Sequence, residues 1–146
     1  MNGHLLDVNV LVALLWPAHE HHDAALAWFG QHVRHGWATT LITQAGFVRI
    51  VSNPAFSKDA ISPGQAVELL RLNLGHPQHR FWLADAGIDE LVQPFAGRLV
   101  GHRQVTDACL LGLAARRGGK LATFDRGVGE LVADTATRDK LVTLIG

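Results

Sequence analysis

The sequence predicts an α/β fold in three α/β/α layers, with a central and mostly parallel β-sheet flanked by helices. Short apolar segments alternate along the chain with longer segments whose apolar residues recur at helical spacing. Strands that alternate with helices in this way form parallel sheets that are covered on both faces. Hydrophobic residues make up 48% of the chain, which is enough for a buried core and excludes a disordered chain.

Five short segments are predicted to be strands, at residues 4–7, 38–41, 80–83, 120–124 and 141–145. Helices are predicted at residues 10–15, 20–33, 43–52, 65–74, 88–95 and 106–117. Ser62 and Pro63 supply an N-cap and a first-turn proline for the fourth helix, and Gly118-Gly119 ends the last one. Because no repeat, low-complexity tract or linker interrupts this pattern, residues 1–146 are predicted to form a single domain.

Charge and cysteine content exclude several classes of protein. The 13 basic and 13 acidic residues give a net charge of zero, which argues against a protein that holds nucleic acid through a broad basic surface. Cys109 is the only cysteine, so an intrachain disulfide is excluded. The apolar stretch 8–16 is too short to span a bilayer and no basic segment precedes it, so a cytoplasmic protein without membrane attachment is predicted.

Three aspartates stand at the ends of predicted elements. Asp7 follows the first strand, Asp125 follows the fourth strand, and Asp107 lies in the first turn of the helix 106–117. In open α/β sheets, ligand sites lie outside the carboxyl ends of the strands. We therefore expect these carboxylates to converge on one edge of the sheet.

A cluster of three carboxylates points to a bound dication. Neighbouring carboxylates repel one another and raise their pKa values unless a cation balances them. Oxygen ligands favour Mg²⁺, or alternatively Mn²⁺, over zinc. Such an ion orients water, lowers the pKa of that water and stabilises charge on a phosphate, which is sufficient for phosphodiester hydrolysis.

Each aspartate also has a purely structural interpretation. Asp107 lies beside Thr106, the predicted cap of its helix, where the interaction of an acid with the helix dipole stabilises the helix by roughly 1 kcal/mol. Asp7 and Asp125, directly after apolar strands, are also typical turn-forming residues. From spacing alone, each residue taken singly is about as well explained by structure as by catalysis.

Four sequence segments carry a resemblance that covers nearly the whole chain. They are LDVNVL at residues 6–11, TQAGFVRI followed by SNP at residues 43–54, VTDA at residues 105–108 and ATFDRG at residues 122–127. In this order they resemble the motifs of PIN domains and, more narrowly, of the VapC ribonuclease toxins of bacterial toxin–antitoxin pairs. The resemblance implies a three-layer PIN-like domain.

The resemblance also implies roles for individual residues. The first metal-binding aspartate of the family falls on Asp7, its third acid on Asp107 and its fourth on Asp125. Asn9 matches a polar residue near the metal, and Thr123 matches a commonly polar position before the last acid.

The sequence departs from the family pattern at one acid. Most PIN domains carry a glutamate in the helix that corresponds to residues 43–52. The matching position here is Gly46, with Gln44 as the nearest polar candidate, and neither side chain supplies a carboxylate. This departure puts a second metal site and the level of activity in doubt.

The resemblance implies a Mg²⁺-dependent endoribonuclease that cuts cellular RNA, inhibits growth, forms a homodimer and is neutralised by a VapB-type antitoxin. An alternative is a catalytically weakened PIN domain that acts mainly as a module for binding the antitoxin or RNA. A phosphotransferase of the haloacid-dehalogenase type is disfavoured, because position 9 is asparagine where that class has a second aspartate.

Several basic residues are candidates for contact with a substrate phosphate, namely Arg49, Arg98, His102, Arg103 and Arg126. The segment 98–103 immediately precedes the helix that carries Asp107, which places it near the predicted site. The histidine-rich segment 19–23 suggests a metal site at first sight, but residues adjacent in a helical sequence mostly point away from one another. It is predicted to be a solvated helix start.

Overall fold

The computed structural model describes residues 3–146, and its centre is a five-stranded parallel sheet in the order β3-β2-β1-β4-β5. The strands are β1 (His4–Leu6), β2 (Trp37–Thr39), β3 (His79–Phe81), β4 (Lys120–Thr123) and β5 (Val142–Leu144). Every neighbouring pair is parallel, so all five carboxyl ends lie at the same edge of the sheet. The predicted α/β class and the strands that define it are confirmed.

Within the described residues 3–146, seven α-helices cover this sheet. They are α1 (Val8–Leu15), α2 (His22–His32), α3 (Leu41–Val51), α4 (Pro63–Leu74), α5 (Ile88–Val92), α6 (Val105–Arg116) and α7 (Thr135–Leu141). Short 3-10 helices lie at Val33–His35, Gln93–Arg98, His102–Gln104 and Arg126–Leu131. None of the helices within residues 3–146 is both long and apolar enough to cross a bilayer.

The core is divided by the sheet into two layers. Leu5 and Leu121 point into one cluster, where they pack against α5 and α6. The next residues along the same strands, Leu6 and Ala122, point into the other cluster, against helices α1, α3 and α4. Successive side chains of a strand alternate between its faces, so these nearly continuous apolar strands require helices on both sides. The three-layer α/β/α architecture follows.

Helix α5 packs very closely on α6. The position of α6 that faces α5 is Gly112, and a Cβ atom built there would lie 2.9 Å from the Cα of Leu91 and would also overlap the Leu91 carbonyl group. The two backbones therefore approach each other at a point where only glycine fits.

Most predicted helix starts differ from the observed ones by one or two residues; α1 begins at Val8 instead of residue 10, and α2 begins at His22 instead of residue 20. Helix α3 begins at Leu41 and not at Thr43, because Thr40 is the N-cap and its backbone N–H donates to the Thr43 hydroxyl at 3.0 Å. Helix α6 begins at Val105, so Thr106 is not its cap. By contrast, Ser62 caps α4 as predicted, accepting a hydrogen bond from the backbone N–H of Gln65 at 3.1 Å.

The region after β4 was predicted incompletely. The 3-10 helix Arg126–Leu131 and helix α7 have no counterpart in the prediction, and β5 begins at Val142 because Leu141 still belongs to α7. Helix α7 has no buried residue, so it carries no apolar periodicity; its start is instead marked by Asp134, whose carboxylate accepts from the Thr137 backbone N–H at 2.8 Å. The predicted helix 88–95 is split, with α5 ending at Val92 and a 3-10 helix following around Pro94.

Candidate active site

Asp7 is held at the carboxyl end of β1 by backbone and side-chain hydrogen bonds. Its backbone N–H donates to the Ala122 carbonyl at 2.9 Å, which extends the pairing of β1 with β4. One carboxylate oxygen caps α1 by accepting from the Val8 N–H at 2.7 Å, and the other accepts from the Thr123 hydroxyl at 2.8 Å. Asp7 is only 6% exposed, so its carboxylate is fixed in a nearly dry position.

Thr123 joins Asp7 to the end of β4. Its fully buried hydroxyl oxygen accepts from the Asn9 amide at 3.3 Å and from the Asp125 backbone N–H at 3.0 Å. The Asn9 side-chain oxygen in turn accepts from the Phe124 backbone N–H at 3.2 Å. The structure thus brings Asn9 and Thr123 together with Asp7, and both position the loop that follows β4.

Asp125 lies in that loop and caps the 3-10 helix after it. Its carboxylate accepts from the Gly127 backbone N–H at 2.8 Å, and the residue is exposed. Asp125 therefore presents its carboxylate to solvent, beside the buried carboxylate of Asp7.

Asp107 stands in the first turn of α6 and interacts electrostatically with the other two aspartates. Its pKa is raised to about 7, first by burial and then by the negative charges of Asp7 and Asp125. Burial also raises the pKa of Asp7, against the opposing effects of the hydrogen bonds from Thr123 and Val8. The three carboxylates therefore share one electrostatic environment, in which a proton or a cation is needed to balance their charge.

The chemistry of these donors fits a hard divalent cation. Within the part of the chain that the structure describes, however, no three His, Cys, Asp or Glu side chains form a group placed to hold a metal ion. Mg²⁺ usually keeps several water molecules and takes only one or two carboxylates directly. The three aspartates are thus electrostatically coupled but are not gathered into a closed ligand set.

The helix position without a carboxylate faces Asp7. Gly46 lines the same cavity as Asp7, and a Cβ atom at that position would lie 2.7 Å from a methyl group of Val8. Gln44 does not line this cavity, and its amide donates to the Thr39 hydroxyl at 3.0 Å. Gly46 therefore shares a cavity with Asp7, and Val8 occupies the space that a larger side chain would need.

This cavity, which we call the α3 cavity, has a volume of about 560 Å³ and is open to solvent. Its lining consists of Asp7, Val8, Ile42, Ala45, Gly46, Arg49, Ile50, Asn53 and Thr106. The α3 residues among these follow helical spacing from Ile42 to Ile50, and Asn53 lies just beyond the end of the helix. That periodicity is visible in the sequence, but it did not reveal the cavity, because a stripe of this kind usually faces the core.

The other predicted substrate-contacting residues differ in their surroundings. Arg126 lines a second cavity of about 440 Å³ together with Asp125. Arg103 is exposed in the 3-10 helix that leads into α6. Contact of either residue with a phosphate stays a prediction. Arg98 is engaged elsewhere, since its guanidinium donates to the Glu130 carbonyl at 2.6 Å.

The histidine-rich segment before α2 has ordinary local contacts. The His22 ring lies 2.8 Å from the Ala13 carbonyl oxygen, and the His19 ring accepts from the backbone N–H of His21 at 3.0 Å. These bonds tie the segment to the end of α1 and to itself.

Comparison with known proteins decides the family. The PIN domain family matches residues 4–132, which is most of the chain and includes all three aspartates. The chain belongs to the PIN domain family. Ribonuclease VapC39 of Mycobacterium tuberculosis is 46% identical over 129 residues, covering 86% of this chain and 91% of that protein. Ribonuclease VapC44 of the same species is 40% identical over 140 residues, covering 96% and 98%.

Solved structures share this PIN fold. VapBC2 from Rickettsia felis, bound to a DNA fragment from their promoter, contains a chain with a TM-score of 0.64 and 14% identity, covering 98% of both chains. FitAcB from Neisseria gonorrhoeae gives a TM-score of 0.56 with 18% identity, covering 94% of both chains. The resemblance to PIN domains and VapC ribonucleases inferred from the sequence motifs is confirmed, as is the PIN-like fold.

Replacing Thr123 by valine is expected to destabilise the PIN domain by about 1–3 kcal/mol, because the Asn9 amide and the Asp125 N–H lose their buried acceptor. Thr123→Ser keeps the hydroxyl and serves as the matched control. Chemical denaturation of both variants measures the difference. Equal unfolding free energies for Thr123→Val and Thr123→Ser would contradict the role assigned to this hydroxyl.

Asp107 is expected to make the metal-free PIN domain less stable as pH rises. Its folded pKa of about 7 exceeds the unfolded value of about 3.9, so its favourable contribution is complete below the unfolded value and is lost as pH rises through 7. After discounting for solvent screening of this half-buried group, Asp107→Asn should raise the unfolding free energy by about 1–2 kcal/mol at pH 8 and change it little at pH 4.

Denaturation in the presence of EDTA, at several pH values, measures this difference between wild type and Asp107→Asn. Asp59→Asn, which removes an exposed carboxylate far along the chain, is the control and should show no such pH-dependent gain. A gain for Asp107→Asn that is the same at pH 4 and pH 8 would contradict the raised pKa.

Proposed function

We infer that this protein is a toxic endoribonuclease of the VapC type, which hydrolyses phosphodiester bonds in cellular RNA and acts with a cognate antitoxin. Relatives that are 40–47% identical over most of the chain are named ribonucleases VapC38, VapC39 and VapC44. PIN domain ribonucleases are metal-dependent. We propose Mg²⁺, or alternatively Mn²⁺, as the metal of this chain.

The observation that carries this proposal is the closeness of Asp7, Asp107 and Asp125 at the carboxyl edge of the sheet, where the charges of Asp7 and Asp125 add to the effect of burial in raising the pKa of Asp107 to about 7. Two of these groups lie at strand ends and the third lies in the first turn of α6. We propose these carboxylates as the metal ligands and the catalytic residues.

The surrounding residues prepare the carboxylates for this role. The hydrogen bonds from Val8 and Thr123 favour the charged form of Asp7, which is the form that binds a cation. Asn9 and Thr123 fix the start of the Asp125 loop, so the acids from β1 and β4 keep a constant spacing. A bound dication activates water as a nucleophile and stabilises charge on the phosphate.

The experiment that tests this function is an incubation of purified, antitoxin-free protein with total RNA, either with Mg²⁺ or with EDTA. We expect cleavage with Mg²⁺ only. Intact RNA in both samples would overturn the ribonuclease assignment in favour of the second candidate, a catalytically weakened PIN domain that binds antitoxin or RNA. That candidate is favoured by one observation, the glycine at position 46 where most PIN domains have a glutamate.

Several further properties belong to this proposal. They are a VapB-type antitoxin as the partner, a homodimer, a cytoplasmic location and a single domain over residues 1–146. Sequencing of RNA ends after brief expression in a bacterial host identifies the RNA that is cut, and light scattering of the purified protein measures its oligomeric state. A monomer at micromolar concentration would contradict the homodimer.

A further inference from the structure

Arg49 differs from most arginines of this chain in having no local partner. Arg71 pairs with Glu68 at 2.5 Å, and Arg116 pairs with Asp85 at 3.3 Å. Among residues 3–146, no hydrogen bond or ion pair links the side chain of Arg49 to another side chain or to a backbone group. Its guanidinium donors are therefore available to a ligand.

The position of Arg49 directs it to the α3 cavity. Arg49 and Gly46 are three residues apart on α3, so they lie on the same face of the helix, and both line the cavity that also reaches Asp7. Arg49 is the one cationic residue of this lining. A phosphate in the cavity could therefore pair with Arg49 while the cavity also reaches the Asp7 carboxylate.

The rest of the cavity suits one nucleotide. Val8, Ile42 and Ile50 provide apolar surface for the face of a base, and a volume of about 560 Å³ lies within the range of small-ligand sites. The Asn53 side-chain oxygen accepts from the Ala55 N–H at 2.9 Å, which leaves the Asn53 amide N–H donors available at the edge of the cavity.

The net charge of zero makes a single arginine important. A protein without a basic surface holds RNA through few phosphate contacts, so each of them contributes a large share of the affinity. Arginine is well matched to this task, because its planar guanidinium donates two parallel hydrogen bonds to a phosphate.

We propose that the α3 cavity is the subsite for a nucleotide next to the cleaved phosphodiester bond, and that Arg49 binds a phosphate of the RNA in it. The inference rests on the ribonuclease function proposed above. It names Arg49 as a substrate-binding residue that acts without contacting the metal.

The test measures binding of a fluorescein-labelled, single-stranded RNA of mixed sequence by fluorescence anisotropy, in EDTA and in the Asp7→Asn background so that the RNA stays intact. Arg49→Ala should raise the Kd about 10-fold, Arg49→Lys about threefold and Arg49→Glu most of all. If one phosphate contact is lost, the slope of log affinity against log salt concentration should fall by about 0.7 in Arg49→Ala.

Lys58→Ala is the matched control, because it removes an exposed cation outside the cavity. The same substitutions with Asp7 intact should lower kcat/KM in parallel with binding, while the unfolding midpoint stays unchanged. A change in packing alone would not alter the salt dependence and would not be rescued by lysine.

The outcomes separate the subsite from the ribonuclease function. RNA cleavage by the wild-type protein, combined with equal Kd and kcat/KM for Arg49→Ala and Lys58→Ala, would overturn the subsite and leave the ribonuclease function standing. No cleavage by the wild-type protein with Mg²⁺ overturns the ribonuclease function. In that case a selective loss of RNA binding in Arg49→Ala still supports the RNA-binding site, and equal binding overturns it.

Discussion

Asp7→Asn is expected to lower the rate of RNA cleavage at least about 100-fold and to remove growth inhibition when the protein is expressed without antitoxin. Asparagine has the same shape and is an equally good helix N-cap, so the hydrogen bond from the Val8 N–H is kept. The substitution removes the negative charge that a divalent cation requires. Initial rates of cleavage with saturating Mg²⁺ and growth curves after induction measure the two effects.

Asp59→Asn is the control for this experiment, because it makes the same chemical change at an exposed loop position. It should leave both cleavage and growth inhibition unchanged. The unfolding midpoint of Asp7→Asn should stay near or above that of the wild-type protein, because burial raises the pKa of Asp7 and therefore disfavours its charged form. Undiminished toxicity of Asp7→Asn would exclude Asp7 from the catalytic site.

Gly112→Ala is expected to destabilise the fold by about 2 kcal/mol. The new Cβ atom would lie 2.9 Å from the Leu91 Cα and would overlap the Leu91 carbonyl group, so α5 and α6 must move apart. Overpacking of a core costs typically about 1–3 kcal/mol, and here the obstacle is backbone, which places the cost at the upper end. The better helix propensity of alanine returns about 1 kcal/mol of this.

Gly30→Ala provides a control of opposite sign. Gly30 lies inside α2, and a Cβ atom there would meet no atom within 4 Å, so the substitution should stabilise the protein by about 1 kcal/mol. Urea denaturation of the two variants and the wild-type protein measures both changes. Equal unfolding free energies for Gly112→Ala and the wild-type protein would contradict the close approach of α5 to α6.

The parts of the fold that follow from apolar patterning were predictable. Strands β1, β2 and β4 are short, mostly buried runs, and parallel pairing brings all strand ends to one edge, so the neighbourhood of Asp7 and Asp125 followed from position alone. The capped start of α4 followed from Ser62 and Pro63, since their effect on the backbone is local.

The parts that depend on distant contacts were not predictable. Helix α7 lacks a buried face, so its residues carry no periodic signal. The hydrogen bonds of Thr123 to Asp7 and Asn9 join residues more than 110 positions apart. The place of Arg49 in the lining of the α3 cavity also depends on tertiary packing, because the sequence alone presents it as one of five basic candidates for phosphate contact.

The packing of the Val8 side chain beside Gly46 constrains how this PIN domain can evolve. A glutamate at position 46 would place its Cβ 2.7 Å from a methyl group of a branched, stiff valine, so the acid that most PIN domains carry in this helix requires Val8 to move. Replacing Val8 by alanine before or together with the change at position 46 would remove this overlap. The two positions are therefore epistatic, because the effect of a side chain at position 46 depends on the residue at position 8.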